Sequence, residues 1–170
     1  MMMKNWMKGG SICLAAFALT FGQSASAAPA CWDQTDVAAA KIRNLQSRLM
    51  VATMRCSAMG IDVLPAYNAF VRSNRETIQG ANGVLKAQFA ADTAAAGQSL
   101  YDSYATSLAN AFGAEQTSVE VCQKTAALAE EAVTANGDIA ALLAIEERAG
   151  SKPDLPGGQC PITFAGFAPN

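Results

Sequence analysis

The sequence predicts an all-α fold, an antiparallel bundle of four to five helices joined by two disulfides and followed by an irregular tail rich in Gly and Pro. Three observations support this prediction. Apolar residues recur at alternating steps of three and four along most of the chain, no stretch alternates over a strand's length, and alanine is abundant on the apolar stripes. Because small residues let helices approach closely, we expect short connections between antiparallel helices.

The first 27 residues have the pattern of a cleaved signal peptide. Lys4 and Lys8 precede an apolar run over Ile12–Phe21, and Ala25–Ala27 supplies the small residues that signal peptidase requires. An apolar run of about ten residues is too short for a spanning helix, which needs roughly 20. We therefore expect cleavage after Ala27 and export to the periplasm or the exterior.

Cys31 offers an alternative form of export, as a lipoprotein anchored at this cysteine. A bacterial lipoprotein carries its lipid on a cysteine just after the apolar region. Here the aliphatic residue expected three places before the cysteine is missing, and Pro29 lies between that position and Cys31. We therefore favour the interpretation that the chain is cleaved and not lipidated. Cleavage then leaves a helical domain over residues 28–149 and a tail over residues 150–170.

The first helix is predicted from Asp33 to Met59. Asp33 or Thr35 can cap its start, and Gly60 can end it. The apolar positions that form its predicted core stripe are Ala38, Ile42, Leu45, Leu49, Ala52, Cys56 and Met59.

A second helix follows, with Pro65 suited to its first turn. Gly80 and Gly83 weaken its middle, so a kink or a break is expected near Asn82. Its stripe consists of Tyr67, Val71, Asn74, Ile78, Ala81, Leu85 and Phe89.

The third helix is predicted from about Ala95 to Phe112, and Gly113 is a typical C-terminal stop. Residues at helical spacing mark the side expected to face the core. They are Leu100, Tyr101, Tyr104, Leu108, Ala111 and Phe112.

The remaining helices have clear start signals. Thr117–Glu120 is a capping box that opens the fourth helix, and Asn136-Gly137 closes it. Asp138 caps a short fifth helix that reaches Ala149, after which Cys160 is expected to hold the irregular tail. The stripe of the fourth helix is Val119, Cys122, Ala126, Ala129 and Val133.

The cysteines predict two disulfides. Cys13 leaves with the signal peptide, and the remaining four form an even number in an oxidising compartment. Cys56 and Cys122 fall on the core stripes of helices, whereas Cys31 and Cys160 lie in irregular segments. The favoured pairs are therefore Cys56–Cys122 and Cys31–Cys160. A zinc site is the alternative, but the chain has no close cysteine pair and no histidine to build one.

Composition excludes several common functions. Without histidine the chain cannot use Ser-His-Asp or Cys-His catalysis, histidine-bound metals or CxxCH haem, and it has no phosphate loop or dinucleotide motif. No cofactor is therefore expected. After loss of Lys4 and Lys8 the chain has 10 basic and 14 acidic residues and no basic block, which argues against nucleic acid and anionic lipid as partners. No later segment is apolar for long enough to span a bilayer.

The second helix carries the candidate binding face. Arg72 and Arg75 are three residues apart and close to Asn68, so their forked donors could hold a small anionic ligand or the carboxylates of an envelope protein. Tyr67 and Phe70 are expected to add aromatic surface. A solvated polar face with no function is the alternative interpretation.

Two other residue groups suggest alternative functions. Met50, Met54, Cys56 and Met59 are soft ligands that could carry Cu(I), although methionine is more often a core filler. The pairs Glu130-Glu131 and Glu146-Glu147 could supply the acid and base of a hydrolase that acts on cell-wall material. Adjacent residues of a helix point in different directions, however, and such pairs are usually solvated.

Four short motifs between Leu45 and Cys122 resemble small exported helical proteins of Gram-negative alphaproteobacteria, a group without assigned activity. The resemblance implies a periplasmic location and a Cys56–Cys122 pair, and it supplies no catalytic residues. The sequence thus favours a non-enzymatic periplasmic protein that binds a ligand or has a structural role in the envelope. The motifs are Arg55-Cys56, Tyr67-Asn68-Ala69-Phe70-Val71, Tyr104-Ala105-Thr106-Ser107-Leu108-Ala109-Asn110 and Val121-Cys122.

Overall fold

A computed structural model of the chain describes residues 31–91, 94–150 and 152–161. Within these ranges it is helical, with one isolated bridge between Trp32 and Gln159 and no strand, which confirms the all-α prediction. The predicted signal peptide and the end of the tail lie outside the described residues. The six helices are α1 Gln34–Ala58, α2 Leu64–Ser73, α3 Arg75–Ala90, α4 Ala94–Gly113, α5 Val119–Thr134 and α6 Ile139–Ala149.

Helix α1 is the centre of the bundle, since it packs against each of the other five helices. Asp33 caps its start, and a reciprocal hydrogen bond with Asp36 completes a capping box. The predicted stripe is correct over Ile42, Leu45 and Leu49, but Met59 is exposed beyond the end of the helix. Because helices surround α1, several positions off the stripe are also buried, namely Ala39, Ala40, Asn44, Ser47, Val51 and Thr53.

The second predicted helix is divided at Asn74 and not near Asn82, so the described part of the chain has six helices where four to five were expected. Helix α3 continues through Gly80 and Gly83, both of which face open space. Asn74 is fully buried, and its side chain stabilises the break. The Nδ2 atom donates to the carbonyl oxygens of Phe70 (3.0 Å) and Ala132 (2.8 Å), and Oδ1 accepts from the Gly137 N–H (2.8 Å).

Helix α4 buries most of its predicted inner side, including Tyr101, Tyr104, Leu108 and Phe112. Leu100 and Ala111 are exposed, contrary to the prediction, because each is adjacent in sequence to a buried residue and therefore lies about 100° around the helix from it. Among the helices within the described ranges, none combines the length and the apolar character that a membrane span requires.

The last two helices begin at local caps. Helix α5 starts one residue later than the predicted box, because Ser118 and not Thr117 is the N-cap, with its hydroxyl accepting from the Val121 N–H. Asp138 caps α6 as predicted. Gly150 ends α6 at a φ of +75°, in the left-handed region that favours glycine.

The chain after α6 returns to the start of the domain as a strap, defined here as residues 152–160. Trp32 anchors it, because the buried indole donates from Nε1 to the Pro156 carbonyl at 2.7 Å. Backbone hydrogen bonds join Trp32 to Gly158 and Cys160, and the Cys31–Cys160 disulfide closes the connection. Cys160 thus holds the tail as predicted, and the second disulfide, Cys56–Cys122, joins α1 to α5.

The two disulfides differ in accessibility. Cys56 and Cys122 are both 0% exposed, whereas Cys31 is exposed and Cys160 half-buried. Because a reductant must reach the sulfur atom, we expect Cys31–Cys160 to be reduced first under native conditions. Stepwise reduction followed by alkylation and peptide mapping would measure this order. Labelling of Cys56 or Cys122 before Cys31 would contradict the packing.

Candidate functional site

A cleft of about 380 Å³ opens beside the C-terminal half of α1, where α4, α5 and the end of α6 meet. We call it the α1–α5 cleft. Its volume falls within the range of roughly 300–1,000 Å³ that is usual for sites of small molecules. Its apolar lining residues are Leu49, Ala52, Cys56, Phe112, Val121 and Leu128.

The same cleft carries an excess of positive charge. Four basic side chains line it against two acidic ones, Glu115 and Glu131, while the whole chain has a formal net charge of −2. A concentration of one sign of charge over an apolar surface favours an amphipathic ligand of the opposite sign. The basic residues are Arg48, Arg55, Lys124 and Arg148.

Arg48 and Arg55 are held in place by the end of α4. Arg55 donates from Nη1 to the Phe112 carbonyl oxygen at 2.6 Å, and the Arg48 guanidinium lies 5.1 Å from the centroid of the Phe112 ring. Arg48 is also 3.9 Å from Glu115, at the outer limit of an ion pair. A guanidinium has five N–H donors, so these contacts fix the two groups and use few of their donors.

The other two basic residues are paired with carboxylates. Arg148 pairs with Glu131, and Lys124 lies 2.8 Å from Glu120 on the exposed surface of α5. The hydrogen bond from Lys124, followed by its charge, lowers the pKa of Glu120. Arg48 and Arg55 are therefore the best-placed anchors for a ligand.

Neither Arg48 nor Arg55 was predicted as a binding residue, and both lie outside the predicted core stripe of the first helix. Their spacing could have predicted a shared face, because Arg48, Ala52 and Arg55 follow each other at steps of four and three along α1. The small Ala52 side chain between them leaves room for the cleft.

A second cavity, of about 420 Å³, lies between α1, α4 and the strap. We call it the strap cavity. Tyr104, Leu108 and Phe112 line it from α4, and Lys152 and Asp154 from the strap. On the α1 side the wall includes the buried Asn44, whose Nδ2 donates to Glu146 Oε1 at 2.5 Å.

Tyr104 is the unusual group in the strap cavity. Only 6% of it is exposed, and its hydroxyl oxygen is inaccessible to solvent and has no hydrogen-bond partner among the residues that the structure describes. Burial raises the pKa of Tyr104, the nearby Asp154 carboxylate raises it further, and Arg43 partly offsets both effects. The hydroxyl therefore stays protonated and can donate or accept a hydrogen bond.

The predicted binding face on the second helix is solvent-exposed. Asn68 and Arg72 lie on α2, Arg75 is the first residue of α3, and all three side chains are exposed. None of them lines the α1–α5 cleft or the strap cavity. The prediction that Phe70 adds aromatic surface was wrong, because Phe70 is 0% exposed and lies in the core. A binding role for the face formed by Asn68, Arg72 and Arg75 stays a prediction.

The residues of the two alternative functions are dispersed. Glu146 is buried and its neighbour Glu147 exposed, while Glu131 is paired with Arg148. Cys56 is bonded to Cys122 and offers no thiolate to Cu(I), and Met54 is 59% exposed. In the part of the chain that the structure describes, no three His, Cys, Asp or Glu residues are grouped to hold a metal ion.

Comparisons with known proteins identify no relative. The sequence matches no protein-family model, and no curated protein and no solved structure is significantly similar to it.

Proposed function

We propose that the protein is an exported, non-enzymatic binding protein and that its α1–α5 cleft takes a small anionic ligand with an apolar body. The observation that carries the proposal is the combination of apolar surface and excess positive charge in one cleft of a net-negative chain. In this arrangement the apolar part of the ligand covers Ala52, Val121 and Leu128. Its anionic group lies between the guanidinium groups of Arg48 and Arg55.

Preorganisation supports this assignment. Arg55 is fixed by the Phe112 carbonyl and Arg48 by the Phe112 ring, so little side-chain entropy would be lost when a ligand binds. Glu115 is only loosely paired with Arg48, at 3.9 Å, and about half of its side chain is exposed. A ligand carboxylate can therefore replace it beside Arg48 at little cost in desolvation.

Calorimetry with sodium decanoate would test the cleft, with decyltrimethylammonium as the probe of equal chain length and opposite charge. We expect decanoate to bind more tightly. Replacing both Arg48 and Arg55 by glutamine should weaken decanoate binding by at least about tenfold, because hydrogen bonds to charged groups contribute roughly 1.5–3 kcal/mol each. Equal binding of the two probes would contradict an anion site.

The matched control is Arg72→Gln with Arg75→Gln, which removes the same charge from the face predicted on the second helix. If the cleft is the site, this control binds decanoate like the wild type. If the control loses binding and the cleft variant keeps it, the face formed by Asn68, Arg72 and Arg75 is the anion site and the cleft proposal is wrong.

Export is the other part of the proposal, and N-terminal sequencing of protein recovered from the periplasm tests it. We expect the mature chain to begin at Ala28 or within a couple of residues of it. The two disulfides fit an oxidising compartment, and the sulfur of Cys31 is bonded to Cys160, which leaves no thiol there for a lipid. Recovery of the chain from the cytoplasm with Met1 still present would contradict export.

A further inference from the structure

We propose that Asn136 is a site of covalent modification by deamidation and that Asn74 controls the rate of this reaction. The site lies outside the α1–α5 cleft, so its chemistry does not depend on the function proposed for that cleft. Three features support it, which are an exposed asparagine followed by glycine, hydrogen bonds that hold the reacting peptide group, and a second Asn-Gly pair inside a helix.

An asparagine followed by glycine deamidates more readily than other asparagines, because glycine has no side chain to hinder ring closure. The backbone nitrogen of the glycine loses its proton and attacks the side-chain carbonyl carbon of the asparagine. The new C–N bond closes a succinimide ring, and the side-chain nitrogen leaves as ammonia with a proton taken up from solvent. Water then opens the ring at either carbonyl carbon, which leaves aspartate or isoaspartate.

The chain contains two Asn-Gly pairs, and only Asn136-Gly137 lies outside a helix. Asn136 is exposed in the turn between α5 and α6, at a φ of +44°, so water has access to it. Asn82-Gly83 lies inside α3, and the Asn82 side chain accepts from the Tyr101 hydroxyl at 3.0 Å. Ring closure at Asn82 would require α3 to unfold locally, whereas at Asn136 it requires only a change in the turn.

The peptide group of Gly137 is held at both ends. Its N–H donates to Asn74 Oδ1 at 2.8 Å, and its carbonyl oxygen accepts from Thr77 Oγ1 at 2.8 Å. Asn74 is fully buried, so its amide is a fixed acceptor. While the hydrogen bond to Asn74 is intact, the Gly137 nitrogen cannot attack the Asn136 side chain. Asn136 therefore reacts in molecules in which this bond has opened, and its rate follows their population.

The reaction changes the turn permanently. Aspartate in place of Asn136 adds a negative charge, and isoaspartate adds a methylene group to the main chain just before Gly137. With the longer main chain, the N–H and the carbonyl of Gly137 cannot both stay in register with Asn74 and Thr77. Isoaspartate therefore keeps the turn open, and deamidation marks the molecules in which the contact between Asn74 and the turn has been lost.

Incubation of the disulfide-bonded chain at mildly alkaline pH, followed by peptide mapping with mass spectrometry, measures conversion at both Asn-Gly pairs. In the folded wild type we expect Asn136 to react at least about tenfold more slowly than in the chain unfolded in guanidinium chloride. In the unfolded chain Asn82 and Asn136 should react at similar rates, because the same dipeptide is then exposed. An equal rate at Asn136 in the folded and the unfolded chain would overturn the proposal.

Asn74→Ala tests the control of the rate, because it removes the acceptor for the Gly137 N–H. We expect Asn136 to react at least about tenfold faster than in the folded wild type, and Asn82 to stay unchanged. Asn82 is thus an internal control, since unfolding of the whole chain would accelerate both sites. An unchanged rate at Asn136, or equal acceleration at Asn82, would contradict local control by Asn74.

Thr77→Val is the milder variant, because it keeps the shape of the side chain and removes only the hydroxyl that donates to the Gly137 carbonyl. We expect Asn136 to react at least about twofold faster than in the wild type, with Asn82 unchanged and the circular dichroism spectrum retained. If the rate at Asn136 did not change in Thr77→Val, or if Asn82 followed it, the turn would not be held as proposed and the inference would be overturned.

Discussion

Replacing Cys56 and Cys122 together by alanine is expected to lower the free energy of unfolding by about 4 kcal/mol. The disulfide closes a loop with a sequence separation of 66 between α1 and α5, and opening that loop gives the unfolded chain more conformational entropy. Both sulfur atoms are fully buried beside Val63, so packing is lost as well. Equilibrium unfolding in urea, with the m-value fitted separately for each variant, measures the change.

Cys31→Ala with Cys160→Ala is the control for this measurement. Its loop is longer, with a sequence separation of 129, yet we expect a smaller loss of stability. Hydrogen bonds from Trp32 to the strap still hold the two segments together, and the pair lies nearer the surface. A greater loss in the control would show that loop closure outweighs buried packing in this protein.

Features that depend on neighbouring residues could be predicted from the sequence. Asp33 and Asp138 are N-caps, as predicted, because the bonds that define a cap join residues within one turn. Both disulfide pairings could also be predicted, because two of the cysteines follow the core periodicity and the other two do not.

Features that depend on distant residues could not be predicted. The break at Asn74 is fixed by Ala132 and Gly137, which lie 58 and 63 residues further along the chain. Gly80 and Gly83 were weak evidence for a break, since they lie on an exposed side of α3 where missing side chains remove no packing. Similarly, a single stripe on α1 could not reveal that surrounding helices cover its other faces.

The candidate sites also combine features that the sequence shows with features that depend on distant residues. The spacing of Arg48 and Arg55 is visible in the sequence, but the Phe112 carbonyl that holds Arg55 comes from the end of another helix. The unpartnered hydroxyl of Tyr104 is a property of its surroundings and has no sequence signal. Phe70 was expected on the surface beside Arg72, but it belongs to the core because α2 turns that side toward the bundle.

Asn74→Ala is expected to lower the free energy of unfolding by about 3 kcal/mol, although it removes only a small side chain. The amide bridges three elements, since it donates to Phe70 in α2 and Ala132 in α5 and accepts from the turn at Gly137. Truncation leaves the Ala132 carbonyl and the Gly137 N–H without this partner, and unsatisfied buried groups cost roughly 1–3 kcal/mol each. Urea denaturation measures the difference.

Two further variants separate the bridging role of Asn74 from a general effect of mutation. Asn68→Ala removes the same side chain from an exposed position on α2, where a change within about 0.5 kcal/mol is expected. Asn74→Asp keeps an acceptor for Gly137 but places a carboxylate against the Ala132 carbonyl, so it should be at least as destabilising as alanine. If Asn74→Asp were as stable as the wild type, the donated hydrogen bonds would not hold the junction between α2 and α5.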